Sequence, residues 1–456
     1  MKAPLLLLLA TVPVCAELDL TRLEEYANQA RPTYITRDNT TAGNAITNLG
    51  ATLGRVMFYD KRLSRNETVS CASCHQQSRA FSDTATASTG VAGTTGRHSM
   101  RLVNARFARE RRFFWDERAA TLEAQTTQPI QDHTEMGFSG TLGDPALADL
   151  VTRLSAVEEY KVLFTAVYGD PAINETRIQR ALAQFVRSIQ SFDSKYDIGR
   201  SQVAGDGNPF PNFTANENNG KALFLNPPAG PGGGPAGAGC AGCHTPPEFD
   251  IDPNSLNNGV VGVIGGGTDF TVTRSPTLRD LVGPGGQSNG GMMHTAQFAT
   301  LAQVVAHYNV IPAVVTGIDP RLTRPGPGGP APQRLNLTAQ QQSDLVAFLR
   351  TLTGTSIYTA AKWSDPFDTA GELGLVVLPQ EGVAMEPFED VGGPMMRLSM
   401  TAVPNVEYIF QTSSDLTEWE DTPVTAAADG TVEVEVPVAG GGTQAYYRFA
   451  YLAGGL

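Results

Sequence analysis

Apolar residues recur at helical spacing over residues 147–164 and again over 178–189, so both stretches are expected to form helices that bury one face. A new region opens near residue 216 with the helical run 220–225. It closes over 338–352, where Leu345, Val346, Phe348, Leu349 and Leu352 form an apolar stripe and Gly354 stands at the stop position. Residues 227–239 contain only Pro, Gly and Ala, a composition that disfavours regular structure and reads as a flexible insertion. Beyond a Pro- and Asp-containing linker near 363–369 the period changes. Residues 375–452 include strict alternation, as in Thr431-Val432-Glu433-Val434-Glu435-Val436, with Gly and Pro turns between runs. This predicts a separate small β-sandwich, and it holds neither histidine nor cysteine.

A chain of 456 residues is too long for one ordinary core, so two or three domains are expected. Residues 4–14 carry a leucine run too short to anchor in a bilayer, which reads as a secretory signal ending after Ala16. Cys15 raises a lipid-modified terminus as the alternative, but Val14 is bulkier than a lipoprotein site favours. No other segment is apolar enough to span a membrane, so a periplasmic or otherwise exported protein without a transmembrane anchor is expected. The net charge of −13 disfavours nucleic acid and anionic membranes as partners. It would suit a basic electron donor, although mild acidity is common among exported proteins.

Of the five cysteines, Cys71, Cys74, Cys240 and Cys243 remain after the signal is removed. Four cysteines in an exported protein would ordinarily suggest disulfides. Here each pair is followed by histidine, in Cys71-Ala72-Ser73-Cys74-His75 and Cys240-Ala241-Gly242-Cys243-His244. That is the C-x-x-C-H signature of c-type haem attachment: two thiols add to the vinyl groups on one edge of the porphyrin, and the adjacent imidazole ligates iron. Two copies point to two covalently bound haem c groups, with paired disulfides or a zinc site as the competing reading.

The surroundings of these motifs resemble the bacterial dihaem cytochrome c peroxidase and MauG family. The likeness runs over roughly residues 45–354. It rests on Leu53-Gly54-Arg55, Arg62-Leu63-Ser64, Phe114-Trp115-Asp116, Thr277-Leu278-Arg279, Val305-Ala306-His307-Tyr308-Asn309 and Asp344-Leu345-Val346-Ala347-Phe348-Leu349. The resemblance implies a mainly α fold, with a first cytochrome c-like peroxidatic domain over 17–200 and a second electron-transfer domain over 201–355; it leaves outside the linker over 356–373 and the β-sandwich over 374–456, which rest on the pattern of residues. It further implies that Trp115 relays electrons between the haems, that Gln125 and Pro129 shape the distal pocket and that Glu135 is the catalytic carboxylate. A desolvated carboxylate with a raised pKa is suited to moving a proton between the two oxygens of peroxide.

In many family peroxidases a histidine sixteen residues after the first haem-binding histidine closes the sixth position. Here that residue is Val91, so a five-coordinate first haem is expected, with His98 and His133 as the nearby histidines that could overturn this. At the second haem, fourteen residues beyond His294, where many relatives carry methionine, stands Tyr308. Tyrosine there is MauG-like, and a phenolate lowers the iron potential where a thioether raises it. Met292, Met293 and His307 are the competing ligands. The family's calcium site maps to His98, a poor calcium ligand, and to the backbone carbonyls of Asn289 and Gly291, which leaves room for calcium.

The resulting expectation is a peroxidase using hydrogen peroxide, with a small electron-transfer protein or a protein substrate as reductant. A MauG-like oxidase acting on a protein and a non-catalytic dihaem electron carrier are the alternatives. The resemblance also leaves room for a homodimer.

Overall fold

The computed structural model describes residues 17–228, 237–312, 316–326, 329–379, 383–390, 393–438 and 445–451. The expected signal segment and most of the Gly/Pro insertion lie outside them. Among the described residues there are ten α-helices: α1 (Asn48–Tyr59), α2 (Cys71–Cys74), α3 (Leu122–Thr126), α4 (Leu147–Ser155), α5 (Glu158–Tyr168), α6 (Glu175–Ser188), α7 (Lys195–Arg200), α8 (Ala215–Leu225), α9 (Leu301–Asn309) and α10 (Ala339–Arg350). The apolar run over 147–164 is therefore two helices, broken at Ala156 and Val157.

Two compact units emerge among the described residues, one within 24–156 and 173–364 and the other within 17–23, 157–172 and 365–451. The larger unit holds both C-x-x-C-H motifs and is built on two helix crossings of the same design. Helix α1 starts where the Thr47 hydroxyl accepts from the Gly50 N–H, and α8 starts at a capping box of Thr214 and Glu217. Each then meets a later helix through a glycine. A methyl group on Gly54 would fall 2.0 Å from the Ala181 carbonyl oxygen of α6, and one on Gly220 would fall 1.9 Å from the Asp344 carbonyl oxygen of α10. Only a residue without Cβ allows these approaches.

One turn beyond each glycine a phenylalanine enters the core. Phe58 contacts Phe81 and Phe185 with ring centroids 5.9 and 5.1 Å apart. Phe224 contacts Phe249 and Phe348 at 5.6 and 5.2 Å. Burying each such ring contributes about 1.5–3 kcal/mol, so these clusters set the position of whatever follows α1 and α8.

Residues 356–364, read from the sequence as the start of a linker, are held in this same unit. Trp363 is buried, its carbonyl accepts from the Tyr59 hydroxyl at 2.6 Å, and the Ser364 carbonyl accepts from Arg55 Nε at 2.7 Å.

The smaller unit contains two three-stranded antiparallel sheets. In one, Gly393–Thr401 lies between Thr431–Pro437 and Ala384–Asp390; in the other, Glu407–Ser413 lies between Glu420–Thr425 and Tyr446–Ala450. Leu398 and Val436 of the first sheet pack with Phe410 of the second, as face-to-face packing of alternating strands requires. The alternation holds in detail: Val432 and Val436 are buried, whereas Glu433 and Glu435 are exposed. This unit also includes the strand Glu17–Asp19, paired in parallel with Gly374–Val376, and helix α5.

Helix, 3₁₀ turns included, accounts for 28% of the described residues and strand for 19%, so the mainly α expectation holds only in part. The physical reason lies between α8 and α9, where residues 237–300 run mostly as turns and loops rich in Gly, Pro, Asn and Ser, which trade helix for tight turns.

Candidate functional site

The first motif forms the single turn α2, capped by Ser70 with Ser73, and delivers His75 to its end. The second forms a 3₁₀ turn, Cys240–Gly242, ahead of His244. All four cysteines are free thiols rather than disulfides, and burial pushes Cys71 and Cys240 up to about 12. Among the described residues no group of three or more His, Cys, Asp or Glu is placed to hold a bare metal ion, which leaves the zinc reading without a site.

Each histidine faces a cavity. His75 opens on one of about 390 Å³, and Cys240, Cys243 and His244 line another of about 610 Å³. The His75 Nδ1 lies 3.1 Å from the Phe81 carbonyl oxygen, whereas the buried His244 Nδ1 has no hydrogen-bond partner among the described residues. Both Phe81 and its counterpart Phe249 have a left-handed backbone, with φ of 59° and 58°, an uncommon conformation for a bulky residue. At His75 that conformation turns the carbonyl back toward the ring, favouring the tautomer with the proton on Nδ1 and the lone pair on Nε2. Burial depresses both imidazoles, His244 to about 4, which favours the neutral, metal-binding form.

The smaller cavity gathers Gln125, Pro129 and Glu135 as well as Trp115. Gln125 lies in α3, which the Thr121 hydroxyl caps at the Ala124 N–H, and Pro129 follows one turn on along a run of turns. Glu135 is pushed up to about 7 by burial first and by the nearby Asp132 second, with Arg118 acting the other way. Its segment is held by the 89–94 hairpin, where Val91 N–H donates to the Glu135 carbonyl at 3.0 Å and Ala92 N–H to the Thr134 carbonyl at 3.2 Å. Val91 thus backs the carboxylate-bearing loop and is not among the residues lining the cavity.

The two competing histidines have other partners, although His98 lines both cavities. His133 Nδ1 pairs with Asp144 Oδ2 at 2.8 Å. His98 is only 3% exposed, not a surface loop residue, with Nδ1 2.9 Å from the Ala85 carbonyl oxygen and Nε2 3.5 Å from Ser82 Oγ.

In the larger cavity the structure brings together Met292, Met293, His294 and Tyr308 with His244. Burial pushes the Tyr308 hydroxyl above its ordinary range, while a hydrogen bond from Asn258 pulls the other way. His307 is turned away from ligation: its Nε2 lies 2.9 Å from the Asn258 carbonyl oxygen. Asn289 is fully buried, its Nδ2 donating at 2.8 Å to both the Asp280 carbonyl and the Tyr358 hydroxyl, and Gly291 lines the cavity.

Trp115 lines both cavities. Its Nε1 donates to the His98 carbonyl at 2.8 Å, its own carbonyl accepts from the Thr273 and Arg274 N–H groups, and its ring lies 6.2 Å from that of His294. Arg101 and Arg274 stand in the same shared wall, buried to 8% and 5% exposure, and burial lowers both to about 10. In each, Nε has no hydrogen-bond partner among the described residues. A buried guanidinium with an unmet donor is costly, and a porphyrin bearing carboxylates at its edge supplies the missing acceptor. The residues present therefore fit two haems. Sequence reading did not reach Arg101, Arg274 or Asn258, since no motif marks them.

A family model described as di-haem cytochrome c peroxidase matches residues 48–203. The chain is 30% identical over 327 residues to the methylamine utilization protein MauG of Methylophilus methylotrophus, covering 69% of this chain and 85% of that one. It is 28% identical over 324 residues to cytochrome c551 peroxidase of Nitrosomonas europaea, covering 67% and 80%. Among solved structures, a MauG-like protein associated with microbial copper homeostasis superposes with a TM-score of 0.58 at 28% identity, over 74% of this chain and 99% of that one. The diheme peroxidase BthA of Burkholderia thailandensis shares the fold, with a TM-score of 0.52 at 22% identity over 75% and 96%. With its two histidine-bearing cavities joined through Trp115, the chain belongs to the di-haem cytochrome c peroxidase and MauG family of oxidoreductases.

Proposed function

We propose that this protein is an exported c-type dihaem enzyme that reduces hydrogen peroxide at the His75 cavity and passes oxidising equivalents through Trp115 to the His244 cavity. Cys71 and Cys74 would hold one haem covalently and Cys240 and Cys243 the other, with His75 and His244 as the proximal ligands. When bound, the haems supply the redox-active iron through which electrons reach peroxide. The chain supplies everything that moves protons. Glu135, poised near neutrality, takes the proton from the near oxygen of hydrogen peroxide and delivers it to the far oxygen, which leaves as water. Gln125 hydrogen-bonds the bound peroxide, and Pro129 limits the space around it. Val91 cannot ligate iron, His133 pairs with Asp144 and both ring nitrogens of His98 have partners, which supports an open sixth position at the His75 centre. Calcium enters only as an accessory ion at the carbonyls of Asn289 and Gly291, with His98 offering no oxygen.

The observation that carries this reading is a proton-transfer group at one cavity and a tryptophan in the wall shared with the other. A plain electron carrier needs neither. Tyr308 in the second cavity favours the MauG-like version, in which the oxidising equivalents are spent on a protein substrate instead of a small electron-transfer protein. Adding peroxide to the oxidised holoprotein decides between enzyme and carrier: the enzyme reading expects the spectra of both centres to change together, and an unchanged spectrum assigns the chain to electron carriage. Among the described residues no helix is long and apolar enough to cross a membrane.

A further inference from the structure

Two donor atoms of different chemistry meet on one amide in the larger cavity. Asn258 Nδ2 lies 3.1 Å from the Tyr308 hydroxyl oxygen and 3.2 Å from the Met293 sulfur. The amide cannot drift, because its other atoms are also held. Asn258 Oδ1 accepts from the Val260 N–H at 3.1 Å, and the Asn258 backbone carbonyl lies 2.9 Å from His307 Nε2. Met293 is held with equal insistence, in a left-handed backbone conformation with φ 68°, costly for a side chain of its size.

We propose that Asn258 is a positioning residue that selects oxygen over sulfur as the sixth ligand of the His244 centre, with Met293 held in reserve. The inference rests on the dihaem reading above. An N–H pointed at the tyrosine oxygen holds that oxygen in place and leaves a lone pair free for the iron. The second N–H of the same amide engages one of the two lone pairs of the Met293 sulfur, a weak acceptor, and so holds that sulfur in place beside the tyrosine. Removing the amide releases both restraints at once. The tyrosine oxygen then leaves the iron and takes a proton from water, and a lone pair of the Met293 sulfur fills the vacated position.

The test uses the holoprotein with both porphyrins quantified. Asn258→Leu is expected to lose the tyrosinate-type optical and paramagnetic signature of the low-spin centre. It should gain the near-infrared band of thioether ligation and shift that centre's potential upward, since thioether raises what phenolate lowers. The double variant with Met293→Leu should lose the thioether band. Asn258→Asp, which replaces the donor by an acceptor of similar size, should give the same shift toward sulfur and covers the case in which leucine does not fold. Retention of the wild-type signature and potential in both single variants overturns the selection role. Failure of the underlying reading looks different: Tyr308→Phe would leave the spectrum unaltered, or fewer than two porphyrins would be bound.

Discussion

The two haem halves are alike where they hold the proximal histidine and unlike where a reaction could occur. In the helix pairs the parts repeat. Gly54 and Phe58 of α1 face Ala181 and Phe185 of α6 as Gly220 and Phe224 of α8 face Asp344 and Phe348 of α10. Phe81 and Phe249 then share a left-handed backbone, and the Phe81 carbonyl holds His75. On the distal side one cavity has a carboxylate near neutrality with an amide and a proline, and the other has a phenol and a thioether on one asparagine. The proposed function divides the labour along the same line: duplicated packing fixes an imidazole, and a few cavity residues decide whether the centre handles protons or only electrons.

The largest break in that comparison should come from Glu135→Gln. The shape is kept and the proton acceptor removed, so the rate of reaction with peroxide is expected to fall by about 10²–10⁴-fold. Absorption of both centres in the oxidised protein should be preserved, as stopped-flow spectroscopy can check. The pH profile sharpens the point. The carboxylate must be ionised to accept a proton, so the rate should rise with pH through about 7 and level off above it. That limb should vanish in the glutamine variant. Because the native state holds this proton more tightly than the unfolded chain does, the same group costs stability as pH rises from the ordinary glutamate range through about 7. A rate that is flat between pH 5 and 9 in the wild type would remove Glu135 from the mechanism.

How much of this was legible in the sequence follows from the same contrast. The C-x-x-C-H pairs and the Trp115, Gln125, Pro129, Glu135 series lie close together along the chain, so spacing exposes them. The alternation at 431–436 announced the β-sandwich because one face of a strand must be apolar. The helix break at Ala156 was hidden, since two short helices share one apolar pattern. Asn258, Arg101 and Arg274 were hidden for another reason: each is a common residue in a loop, and its meaning comes from partners dozens of positions away. The glycine-to-phenylalanine spacing shared by α1 and α8 was available as a signal, though four-residue spacing alone is too frequent to be read without the helix it packs on.

A middle-sized effect tests the duplication itself. Alanine at Gly54 or Gly220 places a methyl about 2 Å from a backbone carbonyl oxygen, and relieving it means separating the paired helices. Each variant should lose about 1–3 kcal/mol of stability, typical of overpacked cores, as denaturant unfolding of the holoprotein would report. If the halves are built alike, the two losses should be similar. The Gly54→Ala variant should disturb chiefly the His75 centre and the Gly220→Ala variant the His244 centre. A large loss at one glycine and none at the other would show that the resemblance of the two crossings is superficial.

The smallest effect on stability belongs to the residue that joins the two halves. Trp115→Phe keeps an aromatic ring in the shared wall and deletes the hydrogen bond from Nε1 to the His98 carbonyl, at a cost of about 1 kcal/mol. Its consequence for the comparison is nonetheless the sharpest. Glu135 and Gln125 are kept and an aromatic ring still lines the His75 cavity, so peroxide should still be consumed at the first centre, while the spectral change at the second should lag behind it. In the wild type the two changes are expected to be simultaneous on the stopped-flow time scale. If they stay simultaneous in the phenylalanine variant, the indole is packing in the wall and the electrons travel by another route; the buried Arg101 and Arg274, which line both cavities, would then mark where to look for it.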